Sequence, residues 1–371
     1  SEDYMKSKNF IYLSRLDHLR FFAAILVVFF HFKGINFNNF TYSNIFEKIS
    51  RVWVEHGHTG VSLFLVLSAF LFTLICAGGK KQIIYWKFIY NRVLRILPLL
   101  TLVVFAVITV NRANSSPLDI LRVFTLQLNT GNPDTGWGQE YFPSGPIWTI
   151  AVEFQFYLLF PFLISFYAKY GKKYLFLLIL MMMMFRGMIV FLNDRWIYYN
   201  LYHSIVGRID QFVIGILFGV LYIEKVFTKN RLVLLSLLIL SIASLTFILK
   251  YNIPAEQNKF LSSVIDFPLE AVFYGIIIVS YLMIDIPSNK LVAGLSKFFS
   301  WLGSLSFSIY LLHLPVAMIV SDLLNLSEPT TLAESIGNNL IRLPFIIGMA
   351  ALSFYSIEKP FMSLRTKYFK E

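Results

Sequence analysis

The amino-acid sequence predicts an all-α fold, a polytopic membrane bundle of about ten transmembrane helices. The chain of 371 residues is 57% hydrophobic and only 14% charged, whereas soluble domains are typically about half apolar and a quarter charged. The apolar residues also fall into long runs, close to the roughly 20 residues that a helix needs to cross a hydrocarbon core. These two observations argue against a soluble globular protein.

Ten apolar runs follow one another without an internal repeat, so the chain is predicted to form a single transmembrane domain over residues 1–371. An even number of spans places both termini on the same side of the membrane. The predicted spans are 19–34, 60–77, 90–110, 146–168, 173–192, 204–223, 231–250, 267–285, 301–322 and 339–357.

The distribution of Lys and Arg predicts which side that is. Of the 32 basic residues, 21 fall in the two termini and in the loops that follow the second, fourth, sixth and eighth spans. Ten fall on the opposite side of the membrane, and Arg208 lies inside a predicted helix. Cytoplasmic loops carry the excess of positive charge in multi-spanning proteins. Both termini are therefore predicted to be cytoplasmic. The net charge of +11 is then mostly a topology signal, and nucleic-acid binding is not predicted.

The chain has a single cysteine, Cys76, which lies in an apolar run. One thiol excludes an intramolecular disulfide and a zinc site built from several cysteines. No metal site is predicted.

The first predicted helix carries two ionisable residues, Arg20 and His31. Eleven residues at about 100° each make nearly three full turns, so both side chains face the same way. The helical rise separates them by roughly 16 Å along the axis. Arg20 is therefore predicted at the cytoplasmic rim and His31 past the middle of the membrane. A snorkelling arginine with a hydrogen-bonded histidine would also fit this pair.

Four further ionisable side chains are predicted near the depth of His31. Glu153 lies early in the fourth span, Arg208 and Asp210 lie in the sixth, and His313 lies in the ninth. Ionisable groups inside a membrane are costly and usually mark a functional cavity. Each could instead form a structural pair, with Arg208 and either Asp210 or Glu153 the simplest case. Together they favour a functional site.

A second cluster is predicted at the cytoplasmic rim. Arg92 and Arg95 stand three residues apart, hence on one face of a helix. Ordinary membrane anchoring explains two such arginines equally well. With Arg20, however, they could form a socket for a polyanion, because guanidinium groups bind phosphates bidentately.

Several motifs follow one another in a fixed order along the chain. They are Arg20 and His31 with ten residues between them, "GVSLFLVLSAF" (60–70), Arg92-x-x-Arg95, "WTIAVEFQFYLLFP" (148–161), "GRIDQFVIG" (207–215), "SFSIYLLH" (306–313) and "IEKP" (357–360). This ordered set resembles the acyltransferase-3 family of integral membrane acyltransferases. The second motif departs from the family's usual pattern, since Ser62 stands where an Asp is common and "LSAF" replaces "LSGF". No role is assigned to Ser62.

This resemblance implies a multi-pass enzyme of the cytoplasmic (inner) membrane that moves an acyl group, usually acetyl, from acyl-CoA to a hydroxyl. The implied acceptor is a sugar of a surface polysaccharide or its lipid-linked precursor, with membrane lipid as the surroundings. Some members carry an extra esterase-like domain, for which this chain is too short. It is expected to act on its acceptor directly or through a separate periplasmic partner. A homo-oligomer is left open.

Acetyl transfer to a hydroxyl needs a base, a stabilised oxyanion and alignment of donor with acceptor, and these needs suggest a hypothesis for the role of each site residue. Arg20, Arg92 and Arg95 would bind the phosphates of acetyl-CoA, and His31 would be the base that deprotonates the acceptor hydroxyl. Glu153 would orient the His31 ring, as an acid does in a catalytic triad. His313 would be a proton shuttle, an oxyanion donor or a packed structural histidine. A transient acyl-histidine and direct attack in a ternary complex both stay open.

Three alternatives remain at this point. A proton-coupled transporter would also place a titratable histidine near the midplane, although no inverted repeat is evident. The acceptor could be a small molecule or secondary metabolite. A non-catalytic partner of polysaccharide machinery could use the external aromatic residues Trp137, Tyr141 and Phe142 to stack on sugars, although interfacial aromatics are common.

Overall fold

The computed structural model describes residues 13–34, 44–110, 112–114, 116–127, 147–192, 201–251, 259–287 and 289–370. Trp137, Tyr141 and Phe142 lie outside these residues. Within the described part of the chain the protein is helical, with one isolated β-bridge between Ile83 and Phe369. The all-α prediction is confirmed.

Fourteen α-helices are numbered here in chain order within the described residues. A 3₁₀ turn (Arg112–Asn114) follows α4, and a π-helical turn (Phe354–Glu358) joins α13 to α14. The α-helices are α1 Ser14–His31, α2 Ile45–Glu55, α3 Thr59–Ile75, α4 Tyr85–Val110, α5 Pro117–Thr125, α6 Trp148–Tyr170, α7 Lys172–Leu192, α8 Ile205–Ile223, α9 Arg231–Tyr251, α10 Lys259–Met283, α11 Lys290–Ser304, α12 Ser306–Leu323, α13 Leu332–Ser353 and α14 Lys359–Ser363.

Eight helices among the described residues are long and apolar enough to cross a membrane, and α2 with α3 makes a ninth if this pair, bent by 68°, is one span. Multi-pass architecture is thereby confirmed. The first predicted span corresponds to α1, which is too rich in charged residues to count among these membrane-spanning helices. Its 18 residues include Arg15, Asp17 and Arg20. Instead, α1 packs against α3, α11 and α12 inside the bundle.

The ninth predicted span was placed too early. It was expected to start at residue 301, but the chain turns at Leu305, and α12 begins at Ser306. The hydroxyl of Ser304 donates to the carbonyl of Trp301 at 2.6 Å, a local bond that competes with the backbone ladder at the end of α11. The preceding 15-residue helix α11 lies mostly between the eighth and ninth predicted spans, where the sequence pattern predicts no helix.

The bundle places its least buried apolar helices outside. The most apolar windows of α7 and α9 are each only 22% buried, and Met184 and Ile239 are both 63% exposed. These are the surfaces that lipid would cover, since a helix apolar on all sides is typical of a membrane span. By contrast, α3 and α8 are buried along most of their length and pack against each other.

The chain ends by folding back onto the start of α4. The backbone N–H of Ile84 donates to the carbonyl of Tyr368 at 2.7 Å, and that of Lys370 donates to Gln82 at 3.0 Å. Tyr368 is 2% exposed and lies edge-on to Phe88. We call residues 364–370 the C-terminal segment. It is held in place by backbone hydrogen bonds and one buried aromatic ring.

Candidate active site

The three arginines singled out by their spacing line one cavity of about 560 Å³. Arg20 is contributed by the second turn of α1, and Arg92 and Arg95 are contributed by adjacent turns of α4. The same cavity is bounded deeper in the bundle by Glu153 and Tyr310. It therefore joins the basic cluster to polar groups on α6 and α12.

The three arginines differ in their partners. Arg20 forms an ion pair with Asp17 at 2.6 Å, one turn away on the same helix. Arg95 forms an ion pair with Glu358 at 3.0 Å. Arg92 has no ion pair with any residue that the structure describes; it lies over the ring of Phe72 at 4.9 Å, and its buried Nε atom lacks a hydrogen-bond partner. A buried donor without a partner is costly, so an anionic ligand at Arg92 would recover that energy.

The prediction from sequence missed two further cations of the cavity, Lys359 and Arg365. Both follow the last predicted span, and neither is predicted from sequence as a site residue, although Lys359 belongs to the "IEKP" motif. The C-terminal segment delivers Arg365, and burial next to Arg92 and Arg95 lowers the pKa of the Arg365 guanidinium to about 8. Burial likewise raises the pKa of Tyr368 in this segment to about 12. No sequence periodicity reports such a fold-back.

Glu153 lies in the cavity but does not contact His31, contrary to the expectation that it orients this ring. Its Oε1 atom accepts hydrogen bonds from the hydroxyl of Ser68 at 2.6 Å and from the hydroxyl of Tyr157. Tyr157 is one turn further along α6, so the carboxylate is turned towards its own helix and α3. The depth of a residue along a helix fixes its level in the membrane but not its direction, which is why the expectation was wrong.

His31 instead contacts His313. The Nε2 atom of His313 lies 3.1 Å from the Nδ1 atom of His31, and the two ring centroids are 5.0 Å apart. His31 is exposed at the end of α1, whereas His313 is fully buried in α12. The structure thus pairs one accessible imidazole with one enclosed imidazole.

The backbone around this pair fixes the proton positions when both rings are neutral. His313 Nδ1 lies 2.7 Å from the carbonyl of Tyr310, and His31 Nδ1 lies 3.0 Å from the carbonyl of Val27. A carbonyl can only accept, so both Nδ1 atoms carry the hydrogen. His313 Nε2 is then an acceptor for His31 Nδ1–H. The remaining nitrogen, His31 Nε2, is left with a lone pair and can act as a base.

Tyr310 connects the histidine pair to the cavity. Tyr310 lines the cavity, and its hydroxyl accepts a hydrogen bond from Thr149 at 2.8 Å. Its carbonyl accepts a hydrogen bond from His313. Neither His31 nor His313 is itself part of the cavity lining. Tyr310 therefore lies between the cavity and His313.

The alternative in which Arg208 forms a structural pair with Asp210 or Glu153 is not what the structure contains. Asp210 forms an ion pair with Arg186 of α7 at 2.6 Å, and both side chains are fully buried. The charge distribution predicts Arg186 on the side of the membrane opposite the termini, but the structure encloses it within the bundle. Arg208 donates to the Tyr202 carbonyl at 3.0 Å and lies over the Tyr202 and Phe267 rings at 4.0 and 4.1 Å.

Ser62, which was assigned no role, sits in a buried polar network. Its hydroxyl donates to Glu270 Oε2 at 2.6 Å and accepts from Gln211 at 3.0 Å. Glu270 is 3% exposed and also accepts a hydrogen bond from the hydroxyl of Thr59 at 3.2 Å. The carboxylate that Ser62 itself lacks is therefore present beside it, supplied from α10. Glu270 is 208 residues away from Ser62 along the chain, so no local motif indicates that the two side chains are in contact.

The residues that the structure describes hold no group of three or more His, Cys, Asp or Glu side chains arranged to bind a metal ion. The candidate site consists instead of basic side chains, hydroxyls, the cavity carboxylates of Asp17 and Glu153, and a histidine pair. Such groups can bind an anion, hold a hydroxyl and accept its proton.

Curated proteins similar to this chain act in O-acetylation, as their names state. It is 23% identical to the putative peptidoglycan O-acetyltransferase YrhL of Bacillus subtilis over 99% of this chain and 57% of that protein. It is 25% identical to the O-acetyltransferase OatA of Staphylococcus aureus over 84% and 51%, and 24% identical to the peptidoglycan O-acetyltransferase OatA of Listeria monocytogenes over 94% and 56%.

The chain spans a little over half the length of these relatives. No solved structure matches it. The family model for an acyltransferase domain, acyltransferase 3, matches residues 13–358, and this match runs from the first described helix to the glutamate that pairs with Arg95. The chain therefore belongs to the acyltransferase 3 family.

Proposed function

We propose that this chain is a membrane O-acetyltransferase of the cytoplasmic (inner) membrane. It takes an acetyl group from cytoplasmic acetyl-CoA and places it on a glycan hydroxyl at the opposite face. The observation that carries the proposal is the single cavity that joins Arg20, Arg92 and Arg95 to the level of Glu153 and Tyr310. The names of the relatives make peptidoglycan or another surface polysaccharide, or a lipid-linked precursor, the favoured acceptor.

The basic end of the cavity suits the nucleotide of acetyl-CoA. Arg92 is half-buried and has no ion pair in the described part of the chain, and its buried Nε atom has an unused donor. Phosphate oxygens are strong acceptors that satisfy arginine donors in pairs. The remaining depth of the cavity is lined by apolar residues such as Val61, Leu65 and Ile150. An extended chain with few charges, such as the pantetheine arm, fits that lining.

The histidine pair suits the acceptor. In this proposal, His31 Nε2 removes the proton of the acceptor hydroxyl as its oxygen attacks the carbonyl carbon of the thioester. The new C–O bond forms, the C–S bond breaks, and the proton passes from His31 to the departing thiolate. His313 stabilises the transient imidazolium because its Nε2 atom accepts the hydrogen bond donated by His31 Nδ1–H. General base catalysis of this kind typically contributes about 10²- to 10⁴-fold in rate.

Acetyl transfer in proteoliposomes tests the proposal. Labelled acetyl-CoA is supplied on one side and a peptidoglycan oligosaccharide on the other, and acetylated glycan is measured by mass spectrometry. His31→Ala is expected to lower the rate about 10²- to 10⁴-fold, and Arg92→Ala is expected to weaken binding of acetyl-CoA. Arg231→Ala, an exposed cation outside the cavity, is the matched control and is expected to behave as wild type.

Two results would contradict the proposal. Full activity of His31→Ala would show that His31 is not the base. Failure of the wild-type protein to bind acetyl-CoA would show that acetyl-CoA is not the donor. Flux of an unmodified substrate coupled to a pH gradient, without acetyl transfer, would instead support a proton-coupled transporter.

A further inference from the structure

One face of α3 runs along the cavity from its basic end to its deep end. Four residues of this helix spaced three or four apart line the cavity, namely Val61, Phe64, Ser68 and Phe72. Residues at this spacing share one face of a helix. Within residues 59–70 of α3, Phe64 and Ser68 are the two that are not buried. The accessible surface of this part of α3 is therefore the wall of the cavity.

Side chains from three helices meet at the deep end of the cavity. The ring of Phe64 on α3 packs edge-on against the ring of Tyr310 on α12, with the ring centroids 5.9 Å apart. The Tyr310 hydroxyl accepts a hydrogen bond at 2.8 Å from Thr149, which lies in the first turn of α6. All three residues line the cavity, whereas His313, on the other side of Tyr310, does not. We call Phe64, Tyr310 and Thr149 the end wall.

The end wall is held by the core of the bundle. Phe64 packs against each of the three large groups of buried apolar side chains, and Tyr310 is 6% exposed. A close-packed interior accommodates even one additional methylene poorly. The end wall therefore limits how far a ligand can extend into the bundle.

The distance between the basic end and the end wall suits acetyl-CoA. Arg92 lies over the ring of Phe72, and the helical rise from Phe72 to Phe64 is about 12 Å. An extended chain gains about 3.5 Å for every three bonds, so the roughly 13 bonds between phosphorus and sulfur in acetyl-CoA reach about 15 Å. A phosphate bound at Arg92 would therefore bring the thioester to the level of Phe64.

We propose that Phe64 and Tyr310 determine which acyl group this protein transfers, because the end wall leaves room for acetyl and excludes longer chains. This inference rests on the proposed function, in which the donor is acetyl-CoA. The thioester carbonyl lies on the side of Tyr310, which leads to His313, and the acetyl methyl group packs against Phe64. A longer acyl chain has to displace the Phe64 ring. Phe64 is thus a specificity-determining residue and takes no part in the chemical step.

Thioether analogues of the donor test the end wall without an acceptor. S-Ethyl-coenzyme A has the size of the acetyl donor, S-butyl-coenzyme A is longer by two methylenes, and neither can transfer its alkyl group. Dissociation constants are measured by calorimetry on the whole chain in phosphatidylcholine nanodiscs.

The two analogues distinguish an open site from a closed one by the sign of the preference. In an open apolar site each added methylene tightens binding about 4-fold, so the butyl analogue would bind more tightly. In a pocket of fixed size, one methylene too many weakens binding about 10- to 200-fold. Wild type is therefore expected to prefer S-ethyl-coenzyme A by at least about 10-fold.

Phe64→Ala is expected to reverse this preference, because it opens the space into which the longer chain extends. Phe64→Leu, which keeps more of the packing with the core, is expected to reduce the preference by a smaller factor. Phe307→Ala is the matched control, since Phe307 also lines the cavity but lies at the basic end, 5.5 Å from the guanidinium of Arg95. It is expected to keep the preference for the shorter analogue, even where it weakens binding of both. Thermal unfolding of each variant shows whether it is folded.

Equal or tighter binding of S-butyl-coenzyme A by wild type would overturn this inference while leaving the acetyl-CoA proposal intact. The same holds if the folded Phe64 variants discriminate as wild type does. Wild type that binds neither analogue would overturn the proposed donor as well. Loss of the preference in Phe307→Ala would show that any change of cavity shape alters selectivity, and the assignment to Phe64 would be wrong.

Discussion

The Nδ1 atom of exposed His31 and the Nε2 atom of buried His313 lie 3.1 Å apart, with His313 anchored by the Tyr310 carbonyl. The sequence predicted that the Glu153 carboxylate would contact His31. In the structure, the imidazole of His313 makes that contact instead. A neutral imidazole accepts the same hydrogen bond as a carboxylate but adds no negative charge. The reactive ring is thus oriented without burying an anion next to it, which would be costly inside a membrane.

Replacement of His313 by Ala is expected to lower kcat for acetyl transfer about 10- to 100-fold, a part of the roughly 10²- to 10⁴-fold that general base catalysis contributes. KM for acetyl-CoA should change little, because His313 does not line the cavity. Without the acceptor at Nε2, protonated His31 is less stable, so the acid side of the pH–rate profile should move to lower pH. Steady-state kinetics across pH measure both effects.

Glu153→Gln is the contrasting variant for that experiment. Because Glu153 binds Ser68 and Tyr157 and not His31, it should leave the acid side of the profile in place even where it lowers the rate. His313→Gln should recover part of the lost rate, since its amide oxygen can accept from His31 Nδ1–H. A His313→Ala profile that coincides with wild type would show that His313 is only a packing residue.

Replacement of Asp210 by Asn is expected to destabilise the protein without weakening donor binding. It leaves fully buried Arg186 without its ion pair, and loss of one partner of a buried pair costs about 3–5 kcal/mol. Thermal unfolding in detergent should show a clear fall in Tm, while the affinity for coenzyme A in the surviving fold should be unchanged. Asp322→Asn, an exposed acid on α12, should leave Tm as it is.

The double variant Arg186→Met with Asp210→Leu sharpens this test. It removes both buried charges at once, and such replacements are often neutral or stabilising. Recovery of Tm would mark the pair as structural. If Asp210→Asn kept its Tm but lost acceptor binding, Asp210 would belong to a substrate site.

Apolar run length predicted most of the bundle from the sequence, because the length of a membrane span is a property of a single segment. Short helices such as α2 and α11 were not predicted, because their 11 and 15 residues are too few to be recognised as spans. Spacing within a helix brought Arg20, Arg92 and Arg95 together as candidates, and the structure places them on one cavity.

Contacts between distant helices could not be predicted in the same way. Helical rise gave the level of Glu153, Asp210 and His313, but the partner of each depends on which helices are neighbours and how they are rotated. Asp210 meets Arg186 because α7 packs against α8. Arg365 reaches the cavity because a segment 275 residues away from Asn91 folds back onto it. Neither relationship leaves a local pattern in the sequence.

Two glycines of α11 offer a matched pair for testing how the position of α1 supports the basic cluster. A Cβ atom added to Gly303 would lie 1.9 Å from the carbonyl oxygen of Asp17, whereas one added to Gly294 would meet nothing within 4 Å. Asp17 is the ion-pair partner of Arg20. Gly303→Ala must therefore push α1 away from α11, and Arg20 moves with it.

Gly303→Ala is expected to lower the free energy of unfolding by about 1–3 kcal/mol, the usual cost of overpacking, and to weaken coenzyme A binding. Gly294→Ala is expected to be neutral or to stabilise the helix by about 0.5–1 kcal/mol, since Ala loses less backbone entropy than Gly. Thermal unfolding and coenzyme A titration of both variants measure the difference. Equal behaviour of the two would mean that α1 is free to shift without disturbing Arg20, and the close contact of α1 with α11 would then have no part in binding the donor.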